Sequence, residues 1–377
     1  MSSADHIPIF PMSGKPILIT GGAGFIGSNL IRQLIDDYRI ICLDRLSYAG
    51  NPRNLSDLTD TIYLAPGYPP PKRDGGMGIK PLKEIPDDRL VFILGAVNDF
   101  DLLHQILKKV SGIIHLAAET HVDRSLLDPG PFLRSDLLGT YILLEAIRRE
   151  GRIPLLHVST DEIYGSRKEG RCSEDDPLNP TNPYAVAKAA ADRLVLTYHK
   201  SFGLPVMVVR PSNNYGPYQH IEKFIPFMIV AAHKGLPLYL YGDGSNIRSW
   251  IHVEDCCRAI RLIFENWRDG EIYNISGEEI TNLRVAQLIC RILGIDPDRI
   301  EFIGDRPAHD YRYALNDEKL RNDLGFNRRI RFSDGLTQTI HWYREHVDWW
   351  QELWDEEFEA YLSEWYGRLG ARPFKKP

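Results

Sequence analysis

Apolar and polar positions divide the chain into two unlike parts. Up to about residue 210, short apolar runs recur between turn residues: KPILIT (15–20), RIICLD (39–44), RLVFILG (89–95), GIIHLAA (112–118), PLLHVST (154–160) and LPVMVVR (204–210). Runs of this length and Ile/Val/Leu content predict buried strands. Between them lie stretches that are apolar at helical spacing, among them FIGSNLIRQLI, DFDLLHQILKK, FLRSDLLGTYILLEAIRRE and NPYAVAKAAADRLVLTYHKSFG. The alternation predicts an α/β domain with a doubly wound parallel sheet over residues 14–211. Beyond residue 211 the pattern breaks into turn-rich YGPYQH and YGDGSNIRSW and the shorter helical segments VEDCCRAIRLIFENW and NLRVAQLICRILG. That change predicts a second, smaller domain over 212–377 against the carboxyl edge of the sheet, with 245–275 a candidate to return to the first. The Pro- and Gly-rich stretch APGYPPPKRDGGMGIKPLKEIP (65–86) suits neither a helix nor a central strand.

Gly21, Gly24 and Gly27 follow the first strand and open the first helix. In that context the first glycine allows a tight turn, the second lets backbone N–H groups approach a pyrophosphate, and the third lets helix and strand pack closely. Asp44 ends the second strand at the place expected for a carboxylate that binds a ribose 2′-hydroxyl. Together they predict a Rossmann-type dinucleotide site. The acid favours NAD over NADP, whose 2′-phosphate it would repel, although Arg45 follows directly.

Two further groups carry chemistry. Tyr184 and Lys188 form a Tyr-x-x-x-Lys on a predicted helix, one turn apart on the same face. A nearby ammonium favours the phenolate, so Tyr184 could take a proton from a substrate hydroxyl while hydride leaves the same carbon. Ahead of them, STDEIYG (159–165) places Asp161 and Glu162 side by side after Thr160, in a loop at the carboxyl edge of the sheet. Two carboxyl groups can act as acid and base when their surroundings push their pKa values apart.

Composition narrows the class without naming the chemistry. The chain is 43% hydrophobic and 25% charged, with a formal charge of −6 and its Lys and Arg scattered, which argues against a nucleic-acid surface. No secretory signal is visible, and no apolar stretch reaches the length of a membrane span. The five cysteines are odd in number and lack C-x-x-C spacing, as expected of reduced thiols in a cytoplasmic protein; no metal site is expected.

TGGAGFIGSNL, DRLSYAGN, HLAAETHVDRS, STDEIYG, NPYAVAKAAAD, SNNYGPY, EKFIP and DRPAHDYRYA occur in this order between residue 17 and about residue 345. In these segments the chain resembles the dTDP-glucose 4,6-dehydratases among the extended short-chain dehydrogenases/reductases. The resemblance implies a lyase that uses NAD. Tyr184 would oxidise C4 of the hexose with hydride passing to NAD, Glu162 would remove the C5 proton, and Asp161 would protonate the C6 hydroxyl as water leaves. Hydride returns to C6, and Thr160 would hydrogen-bond the C4 oxygen.

The same resemblance places Phe25, Ile26, Val97 and Ala117 with the glycines, Asp44 and Arg45 around the cofactor. It places Glu119, His121, Ser125, Asn213, Asn214, Lys223, Arg248, Asn282, Arg306 and His309 around the nucleotide sugar, with Tyr366 near by. It also implies a homodimer paired through the helices at 131–150 and 184–200. Two features depart from the pattern: the 65–89 stretch reads as an inserted flexible surface loop, and Ala96 stands where an acid commonly meets the adenine amino group. UDP-glucose as substrate, 4-epimerase or UDP-glucuronate decarboxylase chemistry, and a non-catalytic NAD-binding regulator are the alternatives. The Asp161–Glu162 pair separates the dehydratase from the epimerases and decarboxylases, and the retained Tyr184 and Lys188 argue against the regulator.

Overall fold

The computed structural model describes residues 14–372. Its first half alternates β1 (Ile17–Thr20), α1 (Phe25–Leu34), β2 (Ile40–Asp44), β3 (Thr61–Leu64), β4 (Gly78–Pro81), β5 (Leu90–Leu94), α2 (Phe100–Leu107), β6 (Gly112–His115) and α3 (Val122–Leu127). Next come α4 (Gly130–Phe132), a π-helical stretch (Leu133–Leu138), α5 (Gly139–Glu150), β7 (Leu155–Val158), α6 (Pro183–Phe202) and β8 (Val206–Pro211). The second half holds β9 (Asn213–Tyr215), α7 (Phe224–His233), β10 (Leu238–Tyr241), β11 (Ile247–His252), α8 (Val253–Glu265), β12 (Ile272–Ile275), β13 (Glu278–Thr281), α9 (Asn282–Leu293) and β14 (Ile300–Ile303). Helices α10 (Glu318–Leu324), α11 (Phe332–Glu345), α12 (Val347–Gln351) and α13 (Glu356–Arg368) follow.

Nine strands form one parallel sheet in the order β12-β8-β7-β6-β1-β2-β5-β3-β4. The six apolar runs supply β1, β2, β5, β6, β7 and β8, and the central ones are buried along their whole length, as a parallel sheet covered on both faces requires. The order reverses between β1 and β6, which opens a crevice at the carboxyl ends of those strands. Three strands were not legible as apolar runs. β3 is only partly buried and carries Thr61 and Tyr63, and β4 is an exposed edge strand ending in Pro81, where a missing N–H costs nothing. β12 comes from the second half of the chain.

The return of the chain is narrower than 245–275. Helix α8 and β12 pack into the core of the large sheet through Cys256, Ile260, Phe264 and Tyr273. β11, by contrast, lies between β13 and β9 in a separate three-stranded sheet. A second core joins that region to the C-terminal helices, with Phe227, Ile289, Leu336, Trp350 and Trp365 buried in it. Among the described residues no helix is long and apolar enough to cross a membrane.

The 65–89 stretch is built into the fold. Leu82 N–H bonds to Leu64 O at 2.8 Å, Gly78 N–H to Asp60 O at 2.7 Å, and Met77 and Leu82 are buried. The expectation of a flexible loop fails because β3 and β4 pair across it.

Candidate active site

A cleft of about 1470 Å³ opens at the reversal of strand order, between the glycine loop and the carboxyl ends of β5, β6 and β7. Gly21 has φ of +71°, and a Cβ there would lie 2.7 Å from Ala117 N. A Cβ on Gly27 would lie 2.2 Å from Gly21 O, so only glycine lets α1 sit this close to β1. Gly24 is the N-cap of α1, and Phe25 and Ile26 in its first turn line the cleft with Asp44, Arg45, Val97 and Ala117. Asp44 is buried, which raises its pKa, and its two oxygens accept N–H bonds from Leu46 at 2.8 Å and Ala23 at 3.0 Å. Each oxygen keeps a second lone pair, so the carboxylate can shape the loop and still accept ribose hydroxyls. These residues fit an NAD molecule: the cradle around Gly21 and Gly27 would be filled by any larger side chain.

Catalytic candidates converge on the same cleft from two elements. Thr160 caps a 3₁₀ turn, Asp161–Tyr164, directly after β7. Helix α6 is positioned by Asn182, whose Oδ1 accepts Ala185 N–H at 2.9 Å, by Pro183 at its first position, and by Gly203 with φ of +67° at its end. Tyr184 therefore stands at the second helical position and Lys188 one turn deeper. Lys188 is buried, and its Nζ donates to Val158 O at 2.8 Å.

The adjacent acids have different surroundings. Asp161 is 3% exposed, its Oδ1 accepts the Thr160 hydroxyl at 3.2 Å, and its Oδ2 has no partner among the described residues. Burial, and then the charge of Glu162, push its pKa up to about 8. Glu162 is half-buried, and its Oε2 lies 3.3 Å from both Asn182 Nδ2 and the Tyr313 hydroxyl. Asp161 is thus held protonated at neutral pH by its burial, while Glu162 meets the donors of Asn182 and Tyr313 and interacts with the cations Lys223, Arg248 and Arg306.

The phenol differs from the sequence expectation. Burial, followed by the charges of Glu162 and Asp136, raises the Tyr184 pKa well above the ordinary tyrosine value. Lys188 is itself lowered by burial, against which Asp136 and Asp192 act. Asp136 lies in the π-helical stretch, accepts Glu119 N–H at 2.8 Å and is raised by burial. The protein alone therefore holds Tyr184 as a neutral phenol.

A second cleft, about 940 Å³, meets the first at Thr120, Glu162, Asn213, Asn214, Gln219 and Lys223. His121, Arg248, Asn282, Arg306, His309 and Tyr366 line only this one. Arg306 pairs with Asp123 at 3.1 Å; burial would lower its pKa, but Asp123 holds it above the ordinary value. Arg248 donates to Ile247 O at 2.8 Å and Asp310 O at 3.0 Å, lies 4.4 Å over the Tyr313 ring, and is lowered by burial. Lys223 donates to Thr120 O at 2.6 Å and is also lowered by burial. His309 is 2.5 Å from Asp305, yet burial lowers it to about 4. Asn213, Asn214 and Asn282 each have a buried Oδ1 without a partner among the described residues, facing a cleft that can supply one.

Two of the candidates lie outside the second cleft. Glu119 lines the cofactor cleft beside Ser47, not the second cleft. Ser125 lines neither, because its hydroxyl donates to Val122 O at 2.7 Å inside α3.

Glu222, Tyr241 and Tyr313 line the second cleft and were missed. Glu222 is buried against Arg124 at 2.7 Å, and that guanidinium is stacked 4.2 Å from both the Tyr48 and Tyr361 rings. Glu222 directly precedes Lys223 in EKFIP, so the sequence did carry a signal for it.

Residues 17–276 match the NAD dependent epimerase/dehydratase family. The chain is 41% identical over 345 residues to dTDP-glucose 4,6-dehydratase of Streptomyces niveus, covering 89% of this chain and 95% of that protein. It is 41% identical over 347 residues to the Mycolicibacterium smegmatis dTDP-glucose 4,6-dehydratase, covering 90% and 96%. Among solved structures, DesIV, the dTDP-glucose 4,6-dehydratase of Streptomyces venezuelae with NAD and dTDP bound, superposes with a TM-score of 0.81 at 40% identity, covering 90% of this chain and 99% of that one. UDP-glucuronic acid 4-epimerase from Bacillus cereus gives 0.75 at 26% identity, covering 88% and 99%.

Proposed function

Because the chain belongs to the NAD dependent epimerase/dehydratase family, we propose that it is a dTDP-glucose 4,6-dehydratase, converting a nucleotide-diphospho-hexose to its 4-keto-6-deoxy form. The observation that carries this reading is the split of Asp161 and Glu162 on one turn: Glu162 lines both clefts, whereas Asp161 lines only the cofactor side. An epimerase has no need of two carboxyl groups placed in different surroundings on this turn.

The chemistry NAD supplies when bound is temporary acceptance of one hydride, so that oxidation at C4 and reduction at C6 cancel within a turnover. Gly21, Gly24, Gly27, Asp44 and Val97 would hold it. The positive charge of a bound nicotinamide beside Lys188 would favour the phenolate, the form in which Tyr184 takes the C4 hydroxyl proton, and the Thr160 hydroxyl would turn from Asp161 to donate to the oxygen that becomes a carbonyl. The new ketone acidifies the C5 proton, which Glu162 removes and returns to C5 when C6 is reduced. Asp161 delivers its proton to the C6 hydroxyl, which leaves as water. Lys223, Arg248 and Arg306 supply cationic donors for the diphosphate, with the asparagine oxygens as acceptors for hydroxyl and base groups.

Mass analysis after incubating the purified protein with dTDP-glucose, without added cofactor, tests the reading. Loss of one water is expected. Unchanged sugar nucleotide with NAD supplied would sink it, and the same water loss from UDP-glucose alone would reassign the base.

The exposed apolar residues Leu133, Leu138, Tyr141, Val186 and Phe202 lie on the α5–α6 side of the sheet and support a homodimer through that face. Light scattering should give twice the chain mass, and Leu138→Glu with Val186→Arg should give the monomer. All five cysteines are buried and free, which supports a reducing compartment such as the cytoplasm.

A further inference from the structure

The turn-rich segment YGPYQH leaves β9 and holds a residue that the chemistry above does not use. Tyr218 has φ of +68°, a left-handed conformation that a bulky aromatic residue rarely adopts. Neighbours from α1, α11 and α12 hold it there. Its ring centroid lies 4.8 Å from that of Trp342 and 6.1 Å from that of Trp349, and the Arg32 guanidinium sits 4.4 Å over it. On either side, Pro217 O accepts Asn29 Nδ2–H at 3.0 Å, and Gln219 O accepts the Tyr343 hydroxyl. Backbone strain persists where surroundings over-determine it, and it gathers at functional sites.

The next side chain is Gln219, which lines both clefts. Its Nε2 donates to Asn214 O at 2.9 Å, and that bond fixes the amide, because only its nitrogen can donate. Oε1 is left as an acceptor, buried and without a partner among the described residues. Asn214 repeats the pattern: its Nδ2 donates to Ser212 O at 2.9 Å, and its Oδ1 has no partner. Asn213 Oδ1 is another such oxygen, and all these residues stand with Glu162 where the clefts meet. A buried acceptor without a donor is costly, so this cluster suits a ligand rich in O–H groups.

Few O–H groups of a nucleotide hexose are free at this place. The C4 oxygen belongs to Tyr184 and Thr160, and the C6 oxygen to Asp161. The C1 oxygen carries the diphosphate, and the ring oxygen has no proton. The C2 and C3 hydroxyls remain. We propose that Gln219, aimed by the strained turn at Tyr218, is a specificity residue whose Oε1 accepts the C2 or C3 hydroxyl of the hexose. This inference rests on the dehydratase reading above. The bond ties down the part of the ring that takes no part in the reaction, so it orients the sugar without opposing the steps at C4, C5 and C6.

The test measures kcat/KM for water loss with wild type and Gln219→Met on dTDP-glucose and on its 2-deoxy and 3-deoxy analogues. Methionine matches glutamine in length but has no amide oxygen. Wild type should favour dTDP-glucose over one analogue by ~10–100-fold, the cost of leaving a buried acceptor unpaired. Gln219→Met should lose that factor on dTDP-glucose and nothing on that analogue, with bound NAD unchanged. Gln219→Leu gives the same readings if the methionine variant does not fold. An equal loss on all the sugars would make Gln219 a prop for the turn and overturn the inference. So would an unchanged rate on dTDP-glucose, a loss of NAD, or a wild type indifferent to both deoxy sugars. Wild type that takes no water from dTDP-glucose would remove the dehydratase reading itself.

Discussion

The two clefts that meet at Glu162 have walls of different kinds. The cofactor side is largely backbone and small residues at consecutive strand ends, Gly21, Gly24, Gly27, Gly95, Ala96 and Ala117. The nucleotide-sugar side is charge, with Lys223, Arg248 and Arg306 set among Asp123 and Glu222. Its members come from far apart: Arg306 and Asp123 are 183 residues distant in sequence. A backbone wall depends on what cannot be added to it, because any Cβ on Gly27 collides. A wall of buried charge depends on what cannot be removed: without Arg306, Asp123 loses its ion pair, and without Lys223 or Arg248, buried backbone carbonyls lose a donor. The catalytic candidates occupy the seam, where Asp161, its pKa raised by burial, and Glu162 share one turn.

The sharpest way to break this division is at the seam. Tyr184→Phe should lower turnover of dTDP-glucose by ~10²–10⁴-fold, the usual worth of a positioned proton acceptor, with NAD content unchanged. Glu162→Gln should cost a similar factor in water loss but still allow slow reduction of bound NAD, seen as absorbance of the reduced nicotinamide. Water loss at near wild-type rate in Glu162→Gln would remove it from the role of C5 base.

A smaller effect separates the two walls. Asn282 opens α9, so Asn282→Asp suits the helix dipole and should fold normally. Its new charge would stand in the cleft that takes the diphosphate, which should raise KM at least ~10-fold, since like charges drawn together on binding cost several kcal/mol. NAD occupancy should not change; a loss of NAD would show that the clefts are not independent.

The smallest effect is in pH. Asp161 must be protonated to act as the acid, and its pKa is about 8 in the folded protein. Raising the pH through that value removes the proton, so dehydration should fall off on the alkaline side and hold steady below it. Asp161→Asn should slow the step and abolish this alkaline limb. An alkaline limb that survives in Asp161→Asn would assign it to another group.

Local rules account for what was legible in the sequence. The strand runs, the glycine loop, Asp44 and the Tyr184–Lys188 spacing are set by neighbours within a few turns, so period and spacing expose them. The separate roles of Asp161 and Glu162 were legible only through a family resemblance, because adjacent acids are identical as a string. Burial of one carboxyl and hydrogen bonding of the other by Asn182 and Tyr313, 151 residues beyond Glu162, distinguish them in three dimensions.

By itself, the sequence determined the parallel sheet, the dinucleotide crevice and which side chains are candidates to react, because backbone periodicity and side-chain chemistry are local. Tertiary structure decided that only α8 and β12 of the 245–275 segment rejoin the large sheet, that Glu119 lines the glycine-loop cleft while Ser125 lines neither, and that Tyr68 reaches Ala96. Those outcomes depend on which distant segments exclude water from one another. Burial, which also moves the Asp161 proton and holds Tyr184 neutral, is a property of the packed whole and is written at no single position of the chain.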